Sequence, residues 1–356
     1  MKYAVNSVKR VYTLYYMQVQ RLNYIGSKHQ LIDWIIENIM NKTKWTSLDK
    51  KVIGDLFAGT GVVTWNFRNK GAITVSNDAE LYSYYITKAF ARTQWSEKLK
   101  NIIDSLNNSK DGLVGFVTRN FSPWEESERM FFTVENAQRI DWVRQYIENI
   151  RTRLSEEEYV FLVASLVVSA DSVSNVPAVY GMYLKNFKDK AKKKLVIRPI
   201  HTNETLADTQ SQVFNNSVLH VKFPKMDAVY LDPPYNNRQY SKNYFPLNII
   251  AMTPDAADEQ KLHGKTGIPD DSFISSFCQK KTVEQSFETL VKSLEAQWIF
   301  ISYNSESLIP KDRMIQILSK YGETGVEEMD YKRFKSFNYN NGDSVTEYLF
   351  FLCKSI

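Results

Sequence analysis

Cysteine is almost missing from this sequence: Cys278 and Cys353 are its two thiols, and they lie far apart. A disulfide framework and a cysteine-based zinc site are both excluded, and a reducing compartment fits. Histidine is equally scarce. His29, His201, His220 and His263 show neither H-x3-H nor H-E-x-x-H spacing, so no pattern for a metal centre exists. Long apolar runs are absent too. The greasiest stretch, Tyr159 to Ala170, is too short to span a bilayer and is interrupted by Ser165, so it reads as a buried helix. Met1 to Arg21 is basic and rich in tyrosine but has no continuous apolar segment, and it is not a secretory signal. These absences predict a soluble protein of the cytoplasm, bound to neither a metal nor a membrane.

What is present is an ordinary globular balance, with 43% hydrophobic and 24% charged residues among 356. That length exceeds one typical domain, so a main domain carrying an insertion or a second domain is expected. The net charge of +5 is modest but unevenly placed. The run Lys185 to Arg198 is strongly basic with Asp189 as its one acid, and no Asp or Glu precedes Asp33. Basic blocks of this kind suit a polyanion, nucleic acid above all, although a solvated surface explains a run of lysines equally well.

Along the chain, Ser27 to Met40 has helical apolar spacing (Leu31, Ile32, Ile35, Ile36, Ile39), with Ser27 as its expected N-cap. Lys51 to Phe57 reads as a strand entering the turn Ala58-Gly59-Thr60-Gly61, followed by a helix at Val62–Asn69. A strand at Ala72–Ser76 and a helix at Ala79–Ala91 continue the alternation that begins a parallel α/β sheet. Charged, aromatic-rich helices follow, the clearest at Arg151–Ala170. Strands are expected again at Val218–Val221, Asp227–Leu231, Trp298–Tyr303 and Tyr348–Cys353, and Asn236–Asp271 reads as a long loop. The organisation predicted is a sheet domain over 1–95 and 213–356, split by a mostly helical insertion over 96–212.

The sharpest motif is Asp232-Pro233-Pro234-Tyr235, directly after the strand Asp227–Leu231. Two prolines cannot continue a ladder, so the chain turns at the carboxyl end of the strand, where open α/β sheets bind ligands. A carboxylate, a prolyl carbonyl and an aromatic ring there can hold a planar amino-substituted base: Asp232 and the Pro233 carbonyl accept its amino hydrogens, and Tyr235 stacks on its face. A capped strand end with a packing tyrosine is the plainer alternative. The second motif, Asp55-Leu56-Phe57-Ala58-Gly59-Thr60-Gly61, also ends a strand. Its glycines admit close backbone approach to a cofactor, but Thr64 replaces the third glycine of a dinucleotide fingerprint and no Walker Lys-Ser/Thr follows. Asp78, at the end of the next expected strand, stands where an acid can bind ribose hydroxyls. Third, Asn23-Tyr24-Ile25-Gly26-Ser27-Lys28 precedes a helix, where Lys28 offers charge to a carboxylate. Read alone, this is an ordinary helix start.

NYIGSK, DLFAGTG, Asn77-Asp78 and DPPY occur in an order that resembles adenine-specific DNA methyltransferases of the Dam and FokI-type class. VYLDPPYNNRQYSKNY, Ile301-Ser302-Tyr303-Asn304-Ser305 and Tyr331-Lys332-Arg333-Phe334-Lys335 are similar to that family as well. The resemblance covers most of the chain apart from the basic N-terminus and much of 96–175. It implies a Rossmann-like methyltransferase sheet with helices on both faces, a helical target-recognition insertion, and S-adenosylmethionine as cofactor. Tyr24 and Lys28 would then lie near the methionine end, Asp55, Phe57, Gly59 and Gly61 would line the pocket, and Asp78 would hold the ribose. Asn216, upstream of Asp232, stands where the family often has an acid near the adenine ring.

The chemistry implied is direct methyl transfer to the N6 amine of a flipped adenine in double-stranded DNA, with Asp232, Pro233 and Tyr235 as the catalytic set. Phosphate contacts are expected from Lys185, Lys188, Lys192, Lys193, Lys194 and Arg198. Arg238, Tyr240 and Tyr244 are expected on a loop that closes over the base, and Asn175, Tyr180 and Tyr183 are candidates for reading sequence. A type II restriction–modification system, with a separately acting endonuclease in a bacterial cytoplasm, is the expected setting. An RNA base-amino methyltransferase, a catalytically silent DNA-binding subunit and a nicotinamide-dependent oxidoreductase are the competing readings.

Overall fold

The structure, a computed structural model, describes residues 22–204, 210–332 and 344–355. The acid-free segment before residue 22 and Arg333-Phe334-Lys335 lie outside the described residues.

Seven strands form the main sheet: β1 (Val52–Asp55), β2 (Ile73–Asp78), β3 (Gln212–Asn215), β4 (Met226–Leu231), β5 (Ala296–Asn304), β6 (Gly322–Lys332) and β7 (Ser344–Lys354). In these labels the spatial order is β3-β2-β1-β4-β5-β7-β6. The first five run parallel, and β7 is antiparallel to both of its neighbours. Alternation along β4 divides the core. Ala228 and Tyr230 face a layer built on Ile35, Ile36, Ile39, Val63 and Phe67, while Val229 and Leu231 face one built on Phe287, Leu290, Val291, Met314 and Ile317. Helices Ile32–Thr43 and Val62–Asn69 thus cover one face, and Val283–Ser293 and Lys311–Leu318 the other. A parallel sheet buried on both sides follows from strands that read as continuous apolar runs.

The chain divides into two compact units. The sheet unit comprises Ile25–Thr87, Gln210–Asn243 and Asp271–Ile356; the other, mostly helical, draws chiefly on Lys88–Thr209 and Tyr244–Asp270. The helical unit therefore recruits a segment C-terminal to the Asp232 turn as well as the stretch before β3. Its central helix, Glu156–Ser172, is buried at every residue from Tyr159 to Asp171. This helix starts later than the expected Arg151, because Ser155 and Glu158 close a capping box that fixes its first turn.

Several local expectations are corrected. Val218–His220 is a single 3-10 turn, and the strand beside β2 is Gln212–Asn215 instead. Ser27 precedes a 3-10 turn, Lys28–Gln30, and makes no capping bond; the helix proper begins at Ile32. The segment Asn236–Asp271 is no loop. It contains helices Tyr240–Ala251 and Pro254–Asp258 and a two-stranded hairpin, Leu262–His263 with Ile268–Pro269. Pro254 occupies the first turn of its helix behind the Thr253 cap, and Pro246 follows a break in helical geometry at Tyr244, where a missing N–H costs little.

Candidate active site

The sheet reverses its order of connection between β1 and β4, which makes their carboxyl ends the switch point of the fold. Asp55 pairs in register with Tyr230, and the Leu56 N–H donates to the Tyr230 carbonyl at 3.3 Å. The glycine turn after Asp55 and the Asp232 turn after Leu231 therefore leave the sheet side by side, although nearly half the chain separates them in sequence.

Asp55 is buried at the end of β1. Its Oδ2 accepts from the Thr64 N–H at 3.0 Å and the Thr64 hydroxyl at 2.7 Å, while its Oδ1 has no partner among the described residues. Burial pushes its pKa up to about 7 against the opposing Thr64 bonds. Gly59 and Gly61 sit at φ +53° and +71°, a region that a side chain occupies only with strain, and Gly61 opens the helix Val62–Asn69. The Gly59 N–H donates to Asp78 Oδ2 at 2.7 Å, and Asp78 Oδ1 accepts from the Glu80 N–H at 2.9 Å, so the carboxylate ending β2 is tied to the glycine turn. Burial raises the pKa of Asp78 despite those bonds. Beside it, Asn77 donates to the carbonyls of Leu56 (3.3 Å) and Asn216 (3.1 Å), and its Oδ1 is a second buried oxygen without a described partner. Phe57 packs edge-on against Phe277 with ring centroids 5.1 Å apart. Asn216 is exposed just past β3, and its side-chain oxygen accepts from the Ser217 N–H.

At the neighbouring turn, Lys28 Nζ pairs with Asp232 Oδ1 at 2.8 Å, with the lysine side chain only 5% exposed. Burial alone would lower the pKa of this lysine; the facing carboxylate, with Glu347 as the second contributor, outweighs it and carries it above the usual value. Burial likewise raises Asp232 against the pull of Lys28. The ammonium also lies 5.9 Å from the centroid of the Tyr235 ring, and the Tyr235 carbonyl is fixed by the Leu308 N–H at 3.0 Å. Gly26, at φ +83°, is where the hydroxyls of Tyr235 and Tyr240 close in: a Cβ there would stand 3.5 and 3.4 Å from them. Tyr240 donates onward to the Ile25 carbonyl at 3.3 Å. NYIGSK and DPPY thus meet through Lys28, Gly26 and two tyrosines.

A carboxylate, an amide and two positive-φ glycines thus stand together at adjacent strand ends. Similarity to known proteins gives the family. Residues 24–317 match the D12 class N6 adenine-specific DNA methyltransferases. The chain belongs to that family. It is 43% identical over 337 residues to the type II methyltransferase M.CviAII of Paramecium bursaria Chlorella virus 1, covering 94% of this chain and 99% of that one. It is 36% identical over 344 residues to M.NlaIII of Neisseria lactamica, covering 94% and 100%. To M.FokI of Planomicrobium okeanokoites it is 34% identical over 352 residues, where 94% of this chain spans 53% of that protein.

In this methyltransferase the residues expected to touch DNA are placed unevenly. Lys185, Lys188, Lys192, Lys193, Lys194, Arg198 and Arg238 are exposed. Tyr244 is fully buried. It stacks on Tyr24 at 4.6 Å within the helical unit, because the break in its helix turns the ring inward, so it is a packing residue and not part of a closing loop. Asn175 and Tyr180 are also fully buried. Asn175 bonds the carbonyls of Met130 and Leu184 and the N–H of Lys188, and Tyr180 donates to Asp171 at 2.8 Å, so both shape the unit from inside. Tyr183 is half-buried and packs edge-on against Phe131.

Sequence reasoning missed Glu347. It lies on β7 opposite Asn304 of β5, bonds the Asn304 side chain, and acts electrostatically on Lys28, Asp232 and Tyr235. Burial raises its own pKa. A signal was available: strand alternation puts Glu347 on the same side as the buried Val345 and Leu349, and an acid on an inward face needs a reason.

Proposed function

We propose that this chain methylates the N6 amine of an adenine flipped out of double-stranded DNA, using S-adenosylmethionine, as the modification enzyme of a type II restriction–modification system whose endonuclease acts separately. The observation that carries the reading is the meeting, at the sheet's switch point, of the Asp55–Gly61 turn with the Asp232–Tyr235 turn. The partnerless oxygens of Asp55 and Asn77 fit a cofactor that brings hydrogen-bond donors and positive charge. Asp55, Phe57, Gly59, Gly61 and Asp78 would hold it, with Tyr24, Lys28 and Asn216 as further candidate contacts. When bound, S-adenosylmethionine supplies an electrophilic methyl group.

The protein's own part is positioning. An exocyclic adenine amine is a weak nucleophile because its lone pair is delocalised into the ring. Asp232 and the Pro233 carbonyl accept hydrogen bonds from its two N–H groups and favour a pyramidal nitrogen, and Tyr235 covers the face of the base. The Lys28 ammonium must loosen its hold on Asp232 for the carboxylate to take an amino hydrogen, and Glu347 is the alternative anion for it. Extruding the base costs a few kcal/mol, which backbone phosphate contacts along 185–198 and at Arg238 offset. A bacterial cytoplasm, with the host's own DNA as substrate, is the setting proposed. Among the described residues no helix is long and apolar enough to cross a membrane.

The test is single-molecule sequencing of DNA from a methylation-deficient bacterial host expressing the chain or its Asp232→Ala variant. Modified adenine at one short motif, with the intact chain alone, is the expected result. Unmodified DNA from a chain that binds S-adenosylmethionine would overturn the substrate assignment and leave RNA as the acceptor to examine. Transfer surviving in the variant would overturn the role of Asp232.

A further inference from the structure

On the helical unit, a cavity of about 620 Å³ opens between the loop Lys110–Gly112, the start of helix Val134–Asn149 and the basic segment that follows Ala191. Lys110, Glu135, Gln138, Arg139, Lys192 and Lys194 are among the residues that line it. The size suits a ligand, but the lining has neither an aromatic nor an aliphatic side chain, so it offers nothing to a small apolar molecule and no platform for a nucleobase.

The walls are built, not incidental. Asn136 is buried and spends its whole side chain on the basic segment: Nδ2 donates to the carbonyls of Ala191 (3.1 Å) and Lys193 (2.9 Å), and Oδ1 accepts from the Leu195 N–H at 2.9 Å. Asn107 brackets the next stretch, donating to the Ile197 carbonyl at 2.7 Å and accepting from its N–H at 2.8 Å. Ala191, Leu195 and Ile197 point inward, so Lys192 and Lys194 are turned to solvent on a fixed backbone. Across the cavity the Leu113 N–H donates to the Gln138 carbonyl at 3.0 Å, and Arg139 grips the carbonyls of Asp111 and Leu106, holding the Lys110 loop. Both terminal nitrogens of Arg139 are thereby occupied. The side chains of Lys110, Lys192 and Lys194 have neither an ion pair nor a hydrogen bond among the described residues.

We propose that this cleft is a phosphodiester-binding site for the backbone of the DNA substrate, with Lys110, Lys192 and Lys194 as its cations and Asp111 and Glu135 as the acids that limit its affinity. Three cations with no partner among the described residues, on two separately pinned walls, present positive charge on a backbone that is already ordered. The ligand must be a hydrophilic polyanion with repeated charges, and a nucleic-acid backbone has that chemistry while a free nucleotide would lack a base contact. The inference rests on the DNA reading above for its ligand, and it adds Lys110 and Glu135, which lie outside the basic run, to that substrate's contacts.

The experiment measures the salt dependence of duplex affinity by fluorescence anisotropy, using the full chain and the Lys110→Ala/Lys192→Ala/Lys194→Ala triple variant. Each phosphate that is no longer neutralised takes about 0.9 from the slope of log K against log salt, so the triple variant should be shallower by about 2 to 3. Glu135→Gln should move affinity the other way. Lys110→Arg/Lys192→Arg/Lys194→Arg should keep the wild-type slope, and an unchanged melting temperature of the alanine variant separates a missing cation from a damaged fold. An unchanged slope in the alanine variant overturns the proposal, as does an effect confined to structured RNA. A wild-type chain that binds duplex DNA through this cleft but leaves it unmethylated would sink the proposed reaction and leave the cleft standing.

Discussion

Asp55→Asn in the cofactor-free chain is the perturbation with the sharpest sign. Asp55 titrates near 7 in the fold because burial disfavours its charge, against about 3.8 when exposed. The folded chain therefore binds this proton more tightly than the unfolded one. The contribution to stability is fully present below about pH 3.8, declines as pH rises, and is gone once the folded group ionises above about pH 7. Between pH 5 and pH 7 that is two decades at about 1.4 kcal/mol each, or about 3 kcal/mol, a large share of the roughly 5–15 kcal/mol typical of a folded domain. Asparagine keeps the geometry: its oxygen can accept from the N–H and hydroxyl of Thr64, and its amide faces the side where Oδ1 has no partner. The variant carries no charge to bury. Urea unfolding at pH 5, 6, 7 and 8 should show the variant gaining on the wild type by about 3 kcal/mol across the series. Asp171 also titrates upward through burial and cancels in the comparison, whereas the repulsion of Asp55 by Asp232 and Asp78 is part of the effect that the variant removes. Parallel pH profiles for the two proteins would refute the reasoning. The more stable variant should also bind S-adenosylmethionine at least tenfold more weakly, since the removed charge is the one the cofactor would meet.

Glu347→Gln leaves Lys28 with Asp232 as its main carboxylate; kcat should fall about tenfold, equivalent to about 1.4 kcal/mol, with cofactor affinity retained. Unchanged kcat would mean that Glu347 only packs. Asn136→Ala removes three hydrogen bonds, two of them buried, at about 1 kcal/mol each, so it should destabilise the chain by about 3 kcal/mol in urea melts. Hydrogen exchange should then show early opening of 191–195; protection equal to the wild type would mean that the segment is held by its apolar residues alone.

What the sequence made legible was whatever local chemistry specifies. β1 with its glycine turn, β2, and β4 with its proline turn are short apolar runs that stop at residues unable to continue, and all three lie where expected. Tertiary context hid the rest. β6, with Glu323, Glu327, Glu328 and Asp330, carries too little apolar pattern to announce itself, and it is ordered by its full-length register with β7. Prolines were misleading in Asn236–Asp271, since Pro254 opens a helix and Pro246 restarts one. Tyr244 looked like a solvent-facing aromatic because nothing in its neighbourhood along the chain reveals Tyr24, the ring it stacks on. At the site, both motif turns could be seen, but the Lys28–Asp232 pair and Glu347 could not, because tertiary packing of the Lys28–Gln30 turn and the register of β7 on β5, not spacing, bring them together.

The sheet also has a keystone. Among the described residues β7 is the latest strand, yet it sits between β5 and β6 and is the only one bonded to β6. A polypeptide cut or stalled before residue 344 would retain both motif turns and lose two strands at once, baring the flank of β5 beside the Asp232 turn. Glu347 would go with them. The β7 segment thus acts as a completion check on the scaffold, so that a fragment lacking it carries every recognisable motif without the strands that align them.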